Sequence, residues 1–397
     1  MSRRGAIHGC GVPFFHWIRS MTEIHDIAVV GGGIVGASLL HFLDGARSVI
    51  LLEQEAAVGY HSTGRSAAEF TRRFHSEPIG RLTSASAAFM MSPPTGFSEA
   101  DLLRPRGNLI VADAEKADRL MALFHQEQAA GPAAASPVEL IEIDGALEKC
   151  PILDPNWLKA AFFDPDCWDV EVESLLQGYL RSAKAKGAAV RQSCQVIAAL
   201  REGDHWLIET TQGALRARCV VNAAGAWADS VAQLFRARPL GLTPHRRTAI
   251  SVEVPGHDVG AMSEVCEVDE LFYFKPDAGK LMVSPADETP VDAHDVRPEE
   301  LDIAYAAHYI GEVTTLDVRH IAHSWAGLRT FASDRLPVIG ASQEVEGFFW
   351  LAGLGGAGIQ TSPAVGQIAA ALLRATPLPD NLCQAGVDVT AFSPDRF

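Results

Sequence analysis

The sequence predicts an α/β fold in which a discontinuous domain on a parallel sheet is completed by a second domain on a mainly antiparallel sheet. Three observations carry the prediction. A strand, glycine loop, helix and second strand follow one another between Asp26 and Glu53, and a second glycine loop opens a helix near Gly358. Between them lie short strand-like segments, two of which are joined by a tight-turn signal.

The first unit reads residue by residue. Asp26-Ile27-Ala28-Val29-Val30 is a nearly unbroken apolar run rich in β-branched residues, the pattern of a strand buried on both faces of a parallel sheet. Gly31-Gly32-Gly33-Ile34-Val35-Gly36 follows at once, then a helical stretch from Ala37 to Leu43 and a strand from Ser48 to Leu52 ending at Glu53 and Gln54. If a dinucleotide binds, Gly31 permits the tight turn, Gly33 admits the pyrophosphate to the backbone, and Gly36 lets the helix pack closely, with its N-terminus facing the phosphates. Glu53, seventeen residues past Gly36, is placed to accept hydrogen bonds from a ribose.

Two later segments read as further strands of the same sheet. Cys219-Val220-Val221 runs through Asn222 into Ala223-Ala224-Gly225-Ala226-Trp227. Phe348 to Ala352 leads into Gly353-Leu354-Gly355-Gly356-Ala357-Gly358-Ile359-Gln360-Thr361 and then a helical run through Val365, Ile368 and Leu372. A second helix N-terminus suits a flavin better than a nicotinamide. Its positive end faces the pyrimidine side of the ring system, where negative charge gathers on reduction. In the middle of the chain, Thr248–Val254, Leu271–Lys275 and Lys280–Ser284 are strand-like, and Pro276-Asp277-Ala278-Gly279 joins the last two as a hairpin. Such a sheet would roof the cofactor and carry the substrate groups.

Composition narrows the function. Apolar residues make up 48% of the 397 residues and charged residues 21%, which suits a large folded core. A formal charge of -16 disfavours nucleic acid and anionic membrane surfaces as partners, so small molecules are expected. The seven cysteines form no CxxC or zinc-type spacing, so no metal is expected, and their scattered, odd number suits reduced thiols and a cytoplasmic location. No run of about 18 apolar residues is present to span a bilayer. Residues 1–23 read as an extension: Arg3 and Arg4 precede Val12-Pro13-Phe14-Phe15, but His16 and Arg19 interrupt that stretch before any cleavage site, and Met21 is an alternative start.

Together, Gly59-Tyr60-His61-Ser62-Thr63-Gly64-Arg65-Ser66-Ala67-Ala68, Val221–Trp227, Phe272–Gly279, Trp325-Ala326-Gly327-Leu328-Arg329 and Gly358–Thr361 resemble the D-amino-acid oxidase-like FAD oxidoreductases, and within that family the bacterial D-arginine dehydrogenases. The resemblance runs from about Ile24 to near Arg396. It implies a Rossmann-like FAD-binding domain over 24–105, 166–240 and 325–397, and a substrate domain over 106–165 and 241–324. It further implies that Ser62, Thr63, Gly64, Arg65, Ser66, Ala67 and Ala68 wrap the pyrophosphate and flavin, with Gly31, Gly33, Val35, Gly36, Glu53, Gln54, Val196, Gly225, Gly355, Ile359 and Gln360 completing the cofactor site. The FAD is expected to be non-covalent, since no cysteine lies between Gly327 and Thr361.

By the same resemblance Arg246, Tyr273 and Arg329 hold a substrate carboxylate, and Glu69, Phe74, Asn108, Gly356, Ala357 and Gly358 line the pocket. Guanidinium groups suit that task independently, because each can make two parallel hydrogen bonds to a carboxylate. Arg246 and Arg247 are adjacent, so on a strand they face opposite sides, and the resemblance favours Arg246 for the pocket. Asn108 stands where D-arginine dehydrogenases carry a glutamate, and Phe74 and Glu69 stand where they carry a tyrosine and a histidine. These departures favour neutral D-amino acids or a related amine, with Glu69 either a new acid for a basic substrate or a rim residue. The implied reaction is oxidation of a D-amino acid to an imino acid by hydride transfer from Cα to flavin N5. Hydrolysis then yields a 2-oxo acid and ammonia, and a quinone or oxygen accepts the electrons. Within the family, 2-hydroxy acid dehydrogenases and N-methyl amine oxidases remain alternatives. A non-catalytic FAD-binding subunit is the alternative from a different class.

Overall fold

The computed structural model describes residues 24–43, 47–130 and 135–397; the 1–23 extension, with Arg3, Arg4, Val12–Phe15 and Met21, lies outside the described residues. The first sheet runs in the order Val196–Glu202, His205–Thr210, Gly213–Asn222, Ile24–Val30, Val49–Leu52, Ala189–Arg191. Phe348–Ala352 adds in parallel to the C-terminal end of Gly213–Asn222. The central pairings are parallel, with Val30 level with both Asn222 and Leu52. Such strands must be apolar on both faces, because helices cover one side and a second apolar layer the other. Ile27, Val29 and Leu51 pack toward the helices, whereas Ala28, Val30 and Ile50 pack the opposite way.

Three helices cover the first face: Ile34–Phe42, Val172–Ala185 and Gly358–Arg374. The first starts where Gly31, at φ 111°, turns the chain out of its strand. A Cβ on Gly36 would lie 2.2 Å from the Gly31 carbonyl oxygen, so the glycine at that position lets helix and loop meet. The same helix approaches Gly358–Arg374 as closely. A Cβ on Gly366 would lie 2.2 Å from Ser38 Oγ, and that hydroxyl donates to the Ser362 carbonyl at 2.6 Å.

The second sheet runs Thr289–Pro290, Thr243–Val252, Lys280–Ser284, Tyr273–Asp277, Glu264–Glu267, Asn108–Ala112, Ala160–Asp164, Glu139–Ile141, with Ile321–Phe331 also paired to Thr243–Val252. All neighbours are antiparallel except Glu264–Glu267 beside Asn108–Ala112. The expected hairpin forms, with Asp277 paired to Lys280 and both loop residues, Ala278 and Gly279, at positive φ. One boundary moves. Ile321–Phe331 is a single strand of the antiparallel sheet, so a division at residue 325 would cut through it.

Alternation along these strands separates two faces. Ile250, Val252, Leu281, Val283, Phe274, Val265, Leu109 and Val111 form a core under the helix Glu300–Val313. The other face carries Arg247, Ala249, Met282, Tyr273, Cys266, Glu264, Asn108 and Ile110, and it looks into a cavity shared with the first sheet. A small third sheet, Glu69–Thr71, Cys167–Val170 and Leu103–Pro105, brings Glu69 to the same space.

Candidate functional site

The cavity is about 1000 Å³ and extends from the first glycine loop to the second. At one end, Gly31, Gly33, Val35, Glu53, Gln54 and Val196 line it, joined by Cys194 and Gln195. Ser62, Thr63, Arg65, Ser66, Ala67, Ala68 and Gly225 line its middle. Gly355, Gly356, Ala357, Gly358, Ile359 and Gln360 close the far end. Two expected members do not reach it. Gly36 packs beneath the loop, and Gly64 is an exposed turn residue whose N–H donates to the Gly59 carbonyl at 2.7 Å. Arg65 lines the space, but its guanidinium is engaged outside it by the Val296 and Ala326 carbonyls and Asp295.

These residues fit a dinucleotide. The helices Ile34–Phe42 and Gly358–Arg374 both begin at the cavity, and neither N-cap residue, Gly33 or Ala357, has a side chain bonded to the first turn. The Ile34 N–H donates to Thr63 Oγ1 at 3.0 Å, and the positive end of each helix dipole faces the space, one beside the first glycine loop and the other at the far end. Buried Glu53 is fixed by the N–H groups of Gly32 at 2.7 Å and Glu55 at 2.9 Å, which leaves lone pairs for ribose hydroxyls.

The roof brings together most of the residues expected to hold a substrate, with one correction. Arg246 is not in the cavity. It shares the core-side face of its strand with Thr248, Ile250 and Val252, and it is held by Asp302 at 2.8 Å, by Glu299 and by Asp287. Arg247 is the residue that enters the cavity, one position along the alternation. The sequence carried this signal: position 246 is in phase with Ile250 and Val252, which mark the core side. Arg247 donates to Glu288 at 3.4 Å, and among the described residues its buried Nε has no hydrogen-bond partner. Burial, helped by the neighbouring Arg329 guanidinium, pushes Arg247 below its ordinary value. It stays a cation, since arginine does not deprotonate in proteins. Arg329 donates to the Tyr273 hydroxyl at 3.5 Å, so two guanidinium groups and a phenol converge on one space.

Opposite groups were harder to foresee. His75 lines the cavity and contacts Gln360 Nε2 at 2.7 Å, while Gln360 Oε1 accepts from the Thr71 N–H at 3.0 Å. Burial lowers the His75 pKa, with Arg329 acting in the same direction and Glu69 against it, so the ring is neutral near pH 7. Phe74, just before it, lines the wall in a left-handed conformation (φ 60°), which is uncommon for a bulky residue. Arg73 on its other side is anchored to the Glu127 and Ser136 carbonyls. Glu69 and Asn108 lie on the wall as expected, and Glu264, level with Asn108 in the sheet, joins them. No periodicity in Glu264-Val265-Cys266-Glu267 marks Glu264 as functional. Only the parallel pairing with Asn108–Ala112 brings it there.

Comparisons with known proteins bear on the family and the fold. The chain is 25% identical to glycine oxidase of Geobacillus kaustophilus over 89% of its own length and 94% of that protein. The crystal structure of that enzyme superposes with a TM-score of 0.80 at 24% identity, covering 95% of this chain and 100% of the other. Human mitochondrial sarcosine dehydrogenase is 22% identical over 88% of this chain, which spans 39% of that longer protein. An L-alpha-glycerophosphate oxidase from Mycoplasma pneumoniae with FAD bound shares the fold, with a TM-score of 0.77 at 18% identity over 89% of this chain and 95% of that one. Among the described residues no helix is long and apolar enough to cross a membrane. The family model described as FAD dependent oxidoreductase matches residues 26–372, and so the chain belongs to that family, with FAD as its cofactor.

Proposed function

We propose that the chain oxidises a carboxylate-bearing amine, specifically a D-α-amino acid, to an imino acid that water converts to a 2-oxo acid and ammonia. The observation that carries this reading is the convergence of Arg247, Arg329 and Tyr273 on one wall of the cavity, with a buried Arg247 Nε still free to donate. A carboxylate there neutralises two clustered cations that otherwise repel each other, and bidentate contacts fix its plane. Fixing the carboxylate orients Cα and its amine, which is where most of the protein's contribution lies. Bound FAD supplies the acceptor for the hydride that leaves Cα. Neutral His75 adds no charge that would repel the substrate ammonium, and Gln360 is held rigid between His75 and the Thr71 backbone. The names of the relatives, glycine oxidase and sarcosine dehydrogenase, support an amine or amino-acid substrate.

A quinone or oxygen would take the electrons onward, with the FAD held non-covalently. The test is anaerobic addition of D-amino acids, 2-hydroxy acids and N-methylglycine to the yellow holoenzyme. Loss of the flavin absorbance is expected with D-amino acids. Bleaching only by 2-hydroxy acids or N-methylglycine would replace the reading, and bleaching by none would return the chain to a non-catalytic FAD-binding role. Reoxidation of the reduced enzyme by air against a quinone separates oxidase from dehydrogenase.

A further inference from the structure

The cavity holds a second polar wall that the carboxylate clamp does not use. Glu264 is 4% exposed and Asn108 5% exposed, and they stand side by side on parallel strands with Glu69 facing them from the small sheet. The Glu69, Glu264 and Cys167 side chains all lie within 4.8 Å of one another, with Cys167 Sγ 3.7 Å from Glu69 Oε2 and 3.9 Å from Glu264 Oε2. Two carboxyl groups this close repel each other when both are ionised, which adds to the cost of a buried charge on Glu264. Burial, with the Glu69 charge adding to it, pushes the Glu264 carboxyl well above its usual range.

Independently of the acid pair, Asn108 Oδ1 is buried without a hydrogen-bond partner among the described residues. A buried carbonyl oxygen left unpaired is costly unless a donor arrives with a ligand. The buried Lys275 ammonium acts on Glu264 and Glu69 only through its charge, since its hydrogen bonds go elsewhere. Lys275 Nζ is bonded to Asp169 at 2.8 Å and to the Ala68 carbonyl at 3.1 Å. The wall is therefore rich in acceptor oxygens, while the clamp across the site is rich in donors and positive charge.

We infer that Glu69, Glu264 and Asn108 form a subsite for a cationic group, an ammonium or guanidinium, at the far end of the substrate side chain. The inference rests on the D-amino-acid reading above and sharpens it. Asn108 in place of an acid first pointed to neutral substrates; Glu264 supplies an acid from the adjacent strand, and Asn108 becomes its hydrogen-bonding companion. A donor-rich cation satisfies Asn108 Oδ1 and the carboxyl oxygens together, whereas an aliphatic side chain would bury them against methylenes.

The experiment compares kcat/KM for D-lysine with that for D-norleucine, a neutral analogue of similar length, using the FAD-loaded enzyme. A preference for D-lysine of ten-fold or more is expected. The Glu69→Gln/Glu264→Gln double variant should lower the D-lysine to D-norleucine ratio by roughly ten- to hundred-fold, the usual worth of a hydrogen bond to a charged group. Asn108→Leu, checked by its FAD content, should lower the ratio as well, and it serves if the double variant fails to fold. A wild-type preference for D-norleucine overturns the subsite while leaving the D-amino-acid reading intact. A D-lysine preference that survives both variants overturns it equally. If neither amino acid bleaches the flavin, the D-amino-acid reading itself fails.

Discussion

Arg246 and Arg247 differ by one position and have opposite tasks. Arg246 neutralises Asp302, Glu299 and Asp287 on the core side of its strand, and burial raises the Asp287 carboxyl's pKa. Removing it strands acids in a dry setting, so Arg246→Ala should cost about 3–5 kcal/mol of stability. Arg247→Ala should instead lower kcat/KM by on the order of a hundred-fold, mostly through KM, with FAD content and urea midpoint little changed. Urea titration and steady-state kinetics on both variants decide the assignment: a catalytic loss confined to Arg246→Ala would reverse it. The residue types of the clamp were legible in the sequence, and so was the period-two phase needed to choose between the arginines. Glu264 was not legible, because its role comes from a neighbour more than 150 residues away.

The glycine-loop elements were the most readable, since a buried parallel strand and the helix after it announce themselves locally. Phe348–Ala352 and Lys280–Ser284 form as expected, and the first helix starts three residues earlier than Ala37, at Ile34. Partnership between elements was less readable. The contact of Ile34–Phe42 with Gly358–Arg374 depends on Gly366, whose missing side chain admits Ser38 and Phe42. Gly366→Ala should push these helices apart and destabilise the protein by about 1–3 kcal/mol. Both helices aim their N-termini at the cavity, so FAD affinity should fall with it. Adding Ser38→Ala should recover part of the loss, as it clears the 2.2 Å approach, and a Gly366→Ala protein with wild-type urea midpoint and FAD affinity would refute the packing argument.

At the scale of the molecule, a cavity of about 1000 Å³ runs between two sheets, and we propose FAD, the cofactor of the family, as its main occupant. A ligand bound only by the folded state stabilises it by mass action, about 4 kcal/mol at a thousand-fold excess over Kd. Stripping FAD should therefore lower Tm by several degrees, and titrating it back should restore Tm in a concentration-dependent way. A Tm indifferent to FAD would mean that the two sheets hold together without it. The two-sheet plan was legible from the sequence, but the boundary near residue 325 was not. Ile321–Phe331 carries Arg329, which lines the cavity, and ten register partners for Thr243–Val252, and nothing in its residues says which sheet it joins.

The first sheet places Gly213–Asn222 between Ile24–Val30 and Phe348–Ala352, so neighbours in space are far apart in the order of synthesis. The first glycine loop leaves the ribosome well before the strand and helix that close the far end of its cavity. No growing chain can grip a cofactor at both ends until that later segment is free. By then Arg247, Tyr273 and Arg329 have already emerged, and the antiparallel wall is available to assemble around it.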